Sequence, residues 1–348
     1  MADMALFEIN VGGVNVSEAF NQILESLTVT DKVGTTSDTA SITLDDSGGS
    51  IIMPQTGSPM TILLGWRSSG IGLVFTGTVD TVKGELTRGG GRTLTITAKG
   101  FDPKGKAKQP LELHKDDATV SDFMSEAAGK AGLSFQASGK IGSIKRPYWV
   151  AGNESFIHLG QRIARELGGN FKIAGNKAII SEKNGGESVS GAALTSITAA
   201  VGDNLIKADI SPVFLRPRFS QARSRFYDPK KAKWEEKLVE ITAQGIAGEA
   251  IHGHRQTRAD KDEAEQSSTD NQKSSERERG GGSVTIIGNP GAQPEGSCTI
   301  VGMRPGLDGT YKIDGVTHSL TRSQGYETTL ELKHPEGDAG SDSRSTSE

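Results

Sequence analysis

Gly280-Gly281-Gly282-Ser283-Val284-Thr285-Ile286-Ile287-Gly288-Asn289-Pro290-Gly291 opens the stretch whose reading decides the fold. A β-branched run lies between two glycine-rich breaks, which predicts a strand followed by a turn. Ser297-Cys298-Thr299-Ile300-Val301 supplies a second strand. Pro305-Gly306-Leu307-Asp308-Gly309 then turns the chain into Tyr311-Lys312-Ile313. Val316 to Leu320 and Gly325-Tyr326-Glu327-Thr328-Thr329-Leu330-Glu331-Leu332 complete the pattern. Strands of period two with a glycine at each turn predict a β-meander. No nucleophile, acid–base pair or ligand cluster is embedded in it, so the stretch reads as architecture.

The same logic extends outward. Arg255 to Arg279, just upstream, holds six basic and seven acidic residues, with only two alanines as apolar side chains. That composition predicts a polar helix or a flexible loop. Leu205–Phe214, Arg216–Tyr227 and Lys233–Gln244 read as strands, so 187–335 is expected to be one β domain. Residues 336–348 read as a disordered tail.

At the amino end, 1–100 is all-β in pattern. Arg92-Thr93-Leu94-Thr95-Ile96-Thr97-Ala98 alternates apolar and threonine positions, and turn signals recur about every ten residues. A barrel is expected because closure removes exposed edges. Residues 101–186 change character. Val120, Phe123, Met124, Ala127 and Ala131 form a helical stripe behind Thr119, and Phe156, Ile157, Ile163, Ala164 and Leu167 form another that Asn153 could cap. The expected architecture is mainly β with an α+β insert: two β-barrel-like domains plus a small α+β module.

Composition narrows the function. Glycine is abundant at 45 residues and aromatics are scarce at 5%, which suits short strands and tight turns. A net charge of −4 sets up no field toward nucleic acid or an anionic membrane. The single cysteine, Cys298, excludes an internal disulfide and reads as a small buried hydrophobe. Neither a leader peptide nor an apolar span of membrane length is legible.

The order of parts resembles the phage late control D proteins, tail-hub proteins of contractile-tailed phages akin to the hub of type VI secretion spikes. The residues that carry the resemblance are Gly288-Asn289-Pro290, Gly306-Leu307-Asp308-Gly309-Thr310-Tyr311, Val316-Thr317-His318-Ser319-Leu320 and Gly325 to Leu332. Glu154-Ser155-Phe156 through Arg162-Ile163-Ala164 to Leu167-Gly168-Gly169 adds a weaker match. The resemblance implies a virion structural protein of the tail baseplate, assembled in the host bacterial cytoplasm. It implies a homotrimer whose paired barrels make a ring, adapting a sixfold tail tube to a threefold spike around a central channel. Tube, spike and other baseplate proteins are the implied partners, with transient passage of DNA, no membrane insertion and no cofactor. Since the chain closes in a polar tail, the spike is expected to be a separate protein.

Enzymatic alternatives are weaker on chemistry. Gly100-Phe101-Asp102-Pro103-Lys104-Gly105-Lys106-Ala107 has the spacing of a phosphate loop. It lacks the hydroxyl after the lysine, and Gln109-Pro110 blocks the helix that would follow. His252-Gly253-His254 offers two imidazoles without a third metal ligand. Glu154, His158 and Glu166 lie on one helix, yet a tail-associated peptidoglycan hydrolase, the principal alternative, needs a carboxyl kept protonated. Arg216, Arg218, Arg223 and Arg225 run beside Phe214, Phe219, Phe226 and Tyr227, the one basic–aromatic cluster. An ssDNA groove is one reading of it. A strand pair with apolar residues inward and arginines at a subunit interface or channel wall is the favoured one. A DNA-binding regulator is disfavoured by the acidic balance and the absence of a helix-turn-helix pattern.

Overall fold

Alternating burial builds the amino-terminal strands. In Gly91–Lys99, Leu94, Ile96 and Ala98 are buried while the threonines between them face outward. The computed structural model describes residues 3–34, 37–101, 105–186, 193–213, 219–228, 230–241, 250–253, 257–258, 260–337, 339–342 and 344. Its first elements are β1 (Ala5–Val11), β2 (Val14–Asn15), α1 (Ser17–Asn21), β3 (Leu24–Lys32), β4 (Thr39–Asp45), β5 (Pro59–Trp66), β6 (Gly70–Thr87) and β7 (Gly91–Lys99). They pair in the order β3-β4-β7-β6-β5-β1-β2 over a core that includes Ile9, Leu27, Ile42, Ile62 and Phe75.

The insert contains β8 (Pro110–Thr119), α2 (Val120–Lys130), β9 (Ser134–Ala137), α3 (Gly139–Gly142), β10 (Lys145–Ser155), α4 (Phe156–Glu166), β11 (Gly169–Ala174) and β12 (Lys177–Glu182). Thr119 caps α2 in a reciprocal box with Asp122, as its position predicts. The cap of α4 is Ser155 rather than Asn153: Ser155 Oγ accepts from the His158 amide at 3.2 Å. Asn153 instead takes a φ of +54° at the irregularity where β10 shifts register against β8. Both helical stripes bury into one core with Trp149 and Phe171.

The carboxy-terminal half holds β13 (Ser196–Ala200), β14 (Leu205–Ser211), β15 (Phe219–Asp228), β16 (Lys233–Glu240), β17 (Ala250–Gly253), α5 (Lys261–Arg277), β18 (Gly281–Ile287), β19 (Ser297–Val301), β20 (Gly309–Thr321) and β21 (Gly325–Glu336). The meander is present, and its third and fourth segments fuse into the 13-residue β20 through an irregularity at Ile313/Gly315. Gly325, at φ +75°, makes the β20–β21 turn. Gly288 is needed for closeness, since a Cβ there would lie 2.2 Å from the Tyr326 ring.

The mainly-β reading with an α+β insert holds, but no closed barrel forms among the described residues. β20 pairs antiparallel with β3, Thr317 opposite Thr30 and Leu320 opposite Leu27. This joins both halves into one 13-stranded sheet. Each half covers the other's inner edge, so neither needs to close on itself. Two cores remain on the shared sheet, and Leu320 and Tyr326 from the carboxy-terminal hairpin reach into the amino-terminal one. Trp66 Nε1 adds a second tie, donating to the Gly288 carbonyl at 2.7 Å.

Two polar segments complete the fold. The 255–279 stretch contains the helix α5. The stretch expected as a tail begins on the body: Ala339 is buried in the carboxy-terminal core, and the Gly340 amide donates to the Gly306 carbonyl at 2.9 Å. Small side chains at 339 and 340 let the backbone lie against that turn. Among the described residues no helix is long and apolar enough to cross a membrane.

Candidate assembly interface

Strands β16, β15 and β17 form a separate three-stranded sheet in that order. Helix α5 packs across one of its faces. Ala222, Ser224 and Phe226 of β15 point toward the helix and are buried, and Ser268 Oγ donates to Ser224 Oγ at 3.0 Å. The stripe that α5 presents is Ala264, Ser267, Ser268 and Asn271, spaced i, i+3, i+4, i+7, all buried. Small side chains let helix and sheet approach closely where a larger apolar stripe would hold them apart.

The opposite face of this sheet has no cover among the described residues. Strand alternation puts Arg223, Arg225 and Tyr227 on it, opposite Leu238, Glu236 and Trp234 of β16. Ile251 of β17 lies beside Gln221. Trp234 is 60% exposed, Leu238 50%, Ile251 46% and Tyr227 42%, a large apolar showing for three short strands. Tyr227 and Trp234 meet edge to face at 5.4 Å between centroids. Arg225 Nε lies 2.6 Å from Glu236 Oε1, and Arg223 Nη1 3.6 Å from Glu236 Oε2. The face is therefore aromatic at one end, charge-paired in the middle and aliphatic at the other.

Of the four arginines singled out in the sequence, Arg223 and Arg225 come together here. Arg216 and Arg218 lie outside the described residues, as does Phe214. Phe226, grouped with the arginines by sequence, faces the other way under α5. Trp234, Leu238 and Glu236 were missed, because Lys233–Glu240 alternates charges on both faces and shows no apolar side. Cross-strand pairing with Arg225 and Tyr227 was the available signal. Glu236 between the two guanidiniums offsets the positive field that a phosphate backbone would need.

The other motifs resolve as local structure. Residues 102–104 of the Gly100–Ala107 segment lie outside the described residues. A single 3-10 turn, Lys106–Lys108, leads from that segment directly into β8, so no helix stands there to receive a phosphate. His254 also lies outside the described residues, and His252 stacks on Phe219 at 4.7 Å. Glu154 accepts from Arg162 and lies 2.7 Å from His158 Nδ1. Burial pushes its pKa up, but these hydrogen bonds outweigh burial and hold it below the ordinary range, the reverse of what a general acid requires. Cys298 is buried, and burial pushes its thiol up to about 12.

A cavity of about 210 Å³ lies between the end of β3, the β11–β12 hairpin and the 293–295 loop, lined by Asp31, Gly34, Asn170, Lys172, Gln293 and Glu295 among others. Lys172 Nζ reaches Asp31 and Asp38 at 2.7 Å each. On the other wall, Glu295 accepts from Asn170 at 2.9 Å and from Arg277 at 2.7 Å.

No family model matches the chain. It is 25% identical over 228 residues to a probable baseplate hub protein of Escherichia phage 186, covering 66% of this chain and 55% of that protein. It is 28% identical over 182 residues to a probable baseplate hub protein of Escherichia phage P2, covering 52% of this chain and 46% of that protein. The chain thus spans about half the length of the curated relatives it matches. In fold it is similar to the tail protein from Neisseria meningitidis MC58, with a TM-score of 0.69 at 15% identity over 97% of this chain and 99% of that one. The resemblance to phage tail-hub proteins drawn from the sequence holds.

Proposed function

We propose that this chain is a structural subunit of a phage-type tail baseplate, acting as hub rather than enzyme. The observation that carries the reading is the likeness in sequence to two phage hub proteins. A fold shared with a tail protein along nearly the whole chain supports it. Copies assemble as a trimeric ring that adapts a sixfold tube to a threefold spike and leaves a channel between them. The pairing of two β halves in one sheet suits this role, because each subunit then offers two β-rich units to its neighbours around a closed ring.

Within that assembly the open face of β15–β17 is the contact surface, with Arg223 and Arg225 at its centre. Tyr, Trp and Arg are the side chains enriched in interface cores, and a paired Arg–Glu ladder gives orientation more than affinity. Tube, spike and neighbouring baseplate proteins are the partners, the particle is the virion tail, and assembly takes place in the host cytoplasm.

Native mass spectrometry of the purified chain at micromolar concentration tests the reading. A trimer is expected, and a monomer at every concentration sinks it. The hydrolase alternative predicts muropeptides released from peptidoglycan. The ionised state of Glu154 argues that none are released.

A further inference from the structure

We infer that Asp38 is a proton-operated latch between the α+β insert and the amino-terminal sheet, closed when its carboxyl is protonated and loosened when it ionises. The geometry is two carboxylates sharing one ammonium across a junction. Lys172 projects from β11 of the insert, and its Nζ lies 2.7 Å from Asp31 Oδ2 on β3 and 2.7 Å from Asp38 Oδ1 just ahead of β4. A static bridge needs one carboxylate. The second leaves the cluster with an uncompensated negative charge whenever both are ionised.

The surrounding charges do not offset that excess. On β3, Lys32 is engaged by Glu331 of β21, and on β7, Lys99 pairs with Asp80 at 2.8 Å. Across the cavity, Glu295 is held by Arg277, and Asp314 of β20 by Arg277 and Lys333. His318 of β20 faces Asp31 but is buried, and burial lowers its pKa to about 4, so it is neutral near pH 7. Burial and then repulsion from Asp31 push Asp38 up to about 6 against the attraction of Lys172. Lys172 stays charged: burial opposes this, but both aspartates outweigh it.

Release at this point has a place to go. The cavity of about 210 Å³ adjoins Asp31 and Lys172, and the insert is fixed on its far side by other bonds. Asn170 and the Asn184 amide hold Glu295, Lys183 holds Asp270 of α5, and Lys273 of α5 holds Glu182. Loosening therefore parts the insert from β3–β4 while it stays on α5 and the carboxy-terminal half.

Linkage gives the direction. An Asp38 raised in the closed state binds its proton more tightly there than in the open state. Closure is therefore favoured at low pH and lost as pH rises through about 6. With an ordinary aspartate value in the open state, the opening constant rises about tenfold between pH 5 and pH 7.5.

Hydrogen exchange of the full chain, corrected for intrinsic rates, reads this in peptides covering 169–182, with β18–β21 as internal reference. The expected result is a roughly tenfold rise in opening from pH 5 to 7.5 in those peptides only. In Asp38→Asn the rise is expected to be absent and protection high at both pH values. Asp31→Asn, which leaves one carboxylate for one ammonium but does not relieve the burial of Asp38, is a second variant in which the slope is reduced. A flat profile in the unsubstituted protein overturns the inference, as does an undiminished slope in whichever variant folds.

Discussion

Arg277 Nη1 lies 2.7 Å from Glu295 Oε1, and both side chains are less than a tenth exposed. The same guanidinium donates through Nε to Asp314 at 3.0 Å and through Nη1 to Asn184 at 2.8 Å. One side chain at the end of α5 thus joins the insert, the Pro294–Glu295 loop and β20. Glu295 is held at φ +67°, a left-handed conformation that costs a non-glycine residue about 1 kcal/mol or more. The surrounding bonds fix it there.

Removing that guanidinium strands the buried Glu295 carboxylate and leaves buried Asp314 with Lys333 at 3.3 Å. Arg277→Met is expected to lower unfolding stability by about 3–5 kcal/mol in urea titration. Adding Glu295→Gln to Arg277→Met should recover part of the loss, because the uncompensated charge of Glu295 disappears. Equal stability of the single and double variants would count against the account.

The open face of β15–β17 should separate folding from assembly. Leu238 is half exposed and supports no core, so Leu238→Ser is expected to change monomer stability by no more than about 0.5 kcal/mol. If this face carries the contacts proposed, the same substitution shifts the oligomer distribution toward monomer in native mass spectrometry.

Gly160 in α4 tests packing against helix propensity. Alanine there gains up to about 1 kcal/mol in propensity. Its Cβ would lie 2.4 Å from the Phe171 ring, which is itself wedged against Phe156 at 5.8 Å. Overpacking of that kind costs about 1–3 kcal/mol. Gly160→Ala is therefore expected to destabilise in thermal melts despite the better helix former.

Cys298 should report global unfolding. Its thiol is buried and, for that reason, protonated at pH 8. Thiol-reactive dye at that pH is expected to label the native protein very slowly, with a rate that rises with urea in parallel with unfolding. Rapid labelling without denaturant would contradict the burial of β19.

Acid should act through His318. Its ring, buried beside Thr328 and the Tyr326 hydroxyl, has its pKa lowered to about 4 by burial. The unfolded chain then binds the proton more readily, so this residue's contribution is full above about 6.5 and is lost as pH falls toward 4. The loss is about 3 kcal/mol between pH 7 and pH 4. Urea titrations across that range should show a shallower acid decline in His318→Gln. Asp38 works in the opposite direction over an overlapping window, so the unsubstituted protein's decline is partly masked.

Alternation made the large sheet legible: Leu94-Thr95-Ile96-Thr97-Ala98 and Gly325 to Leu332 could be read because one face is apolar. Both insert helices were legible through their apolar stripes. The β3–β20 seam was not, since its residues are 287 positions apart at Thr30 and Thr317 and pairing over such distances leaves no local mark. Nor was the inner face of α5, whose stripe is written in serine, asparagine and alanine. Its stability comes from close approach and from ion pairs such as Lys183–Asp270 at 2.9 Å. The open interface face was half visible: arginines and Tyr227 stood out on β15, but their β16 partners emerge only once the hairpin register is known.

The ladder between β3 and β20 also sets a timetable for synthesis. Residues 24–32 leave the ribosome long before 309–321 exist, and at about 5–20 residues per second the wait is on the order of 15–60 s. During it, β3 carries a bare row of backbone donors and acceptors on one side. A nascent chain stalled anywhere before β20 leaves that ribbon sticky, so products truncated there are expected in inclusion bodies, while a chain that has completed β20 and β21 is expected to stay in solution.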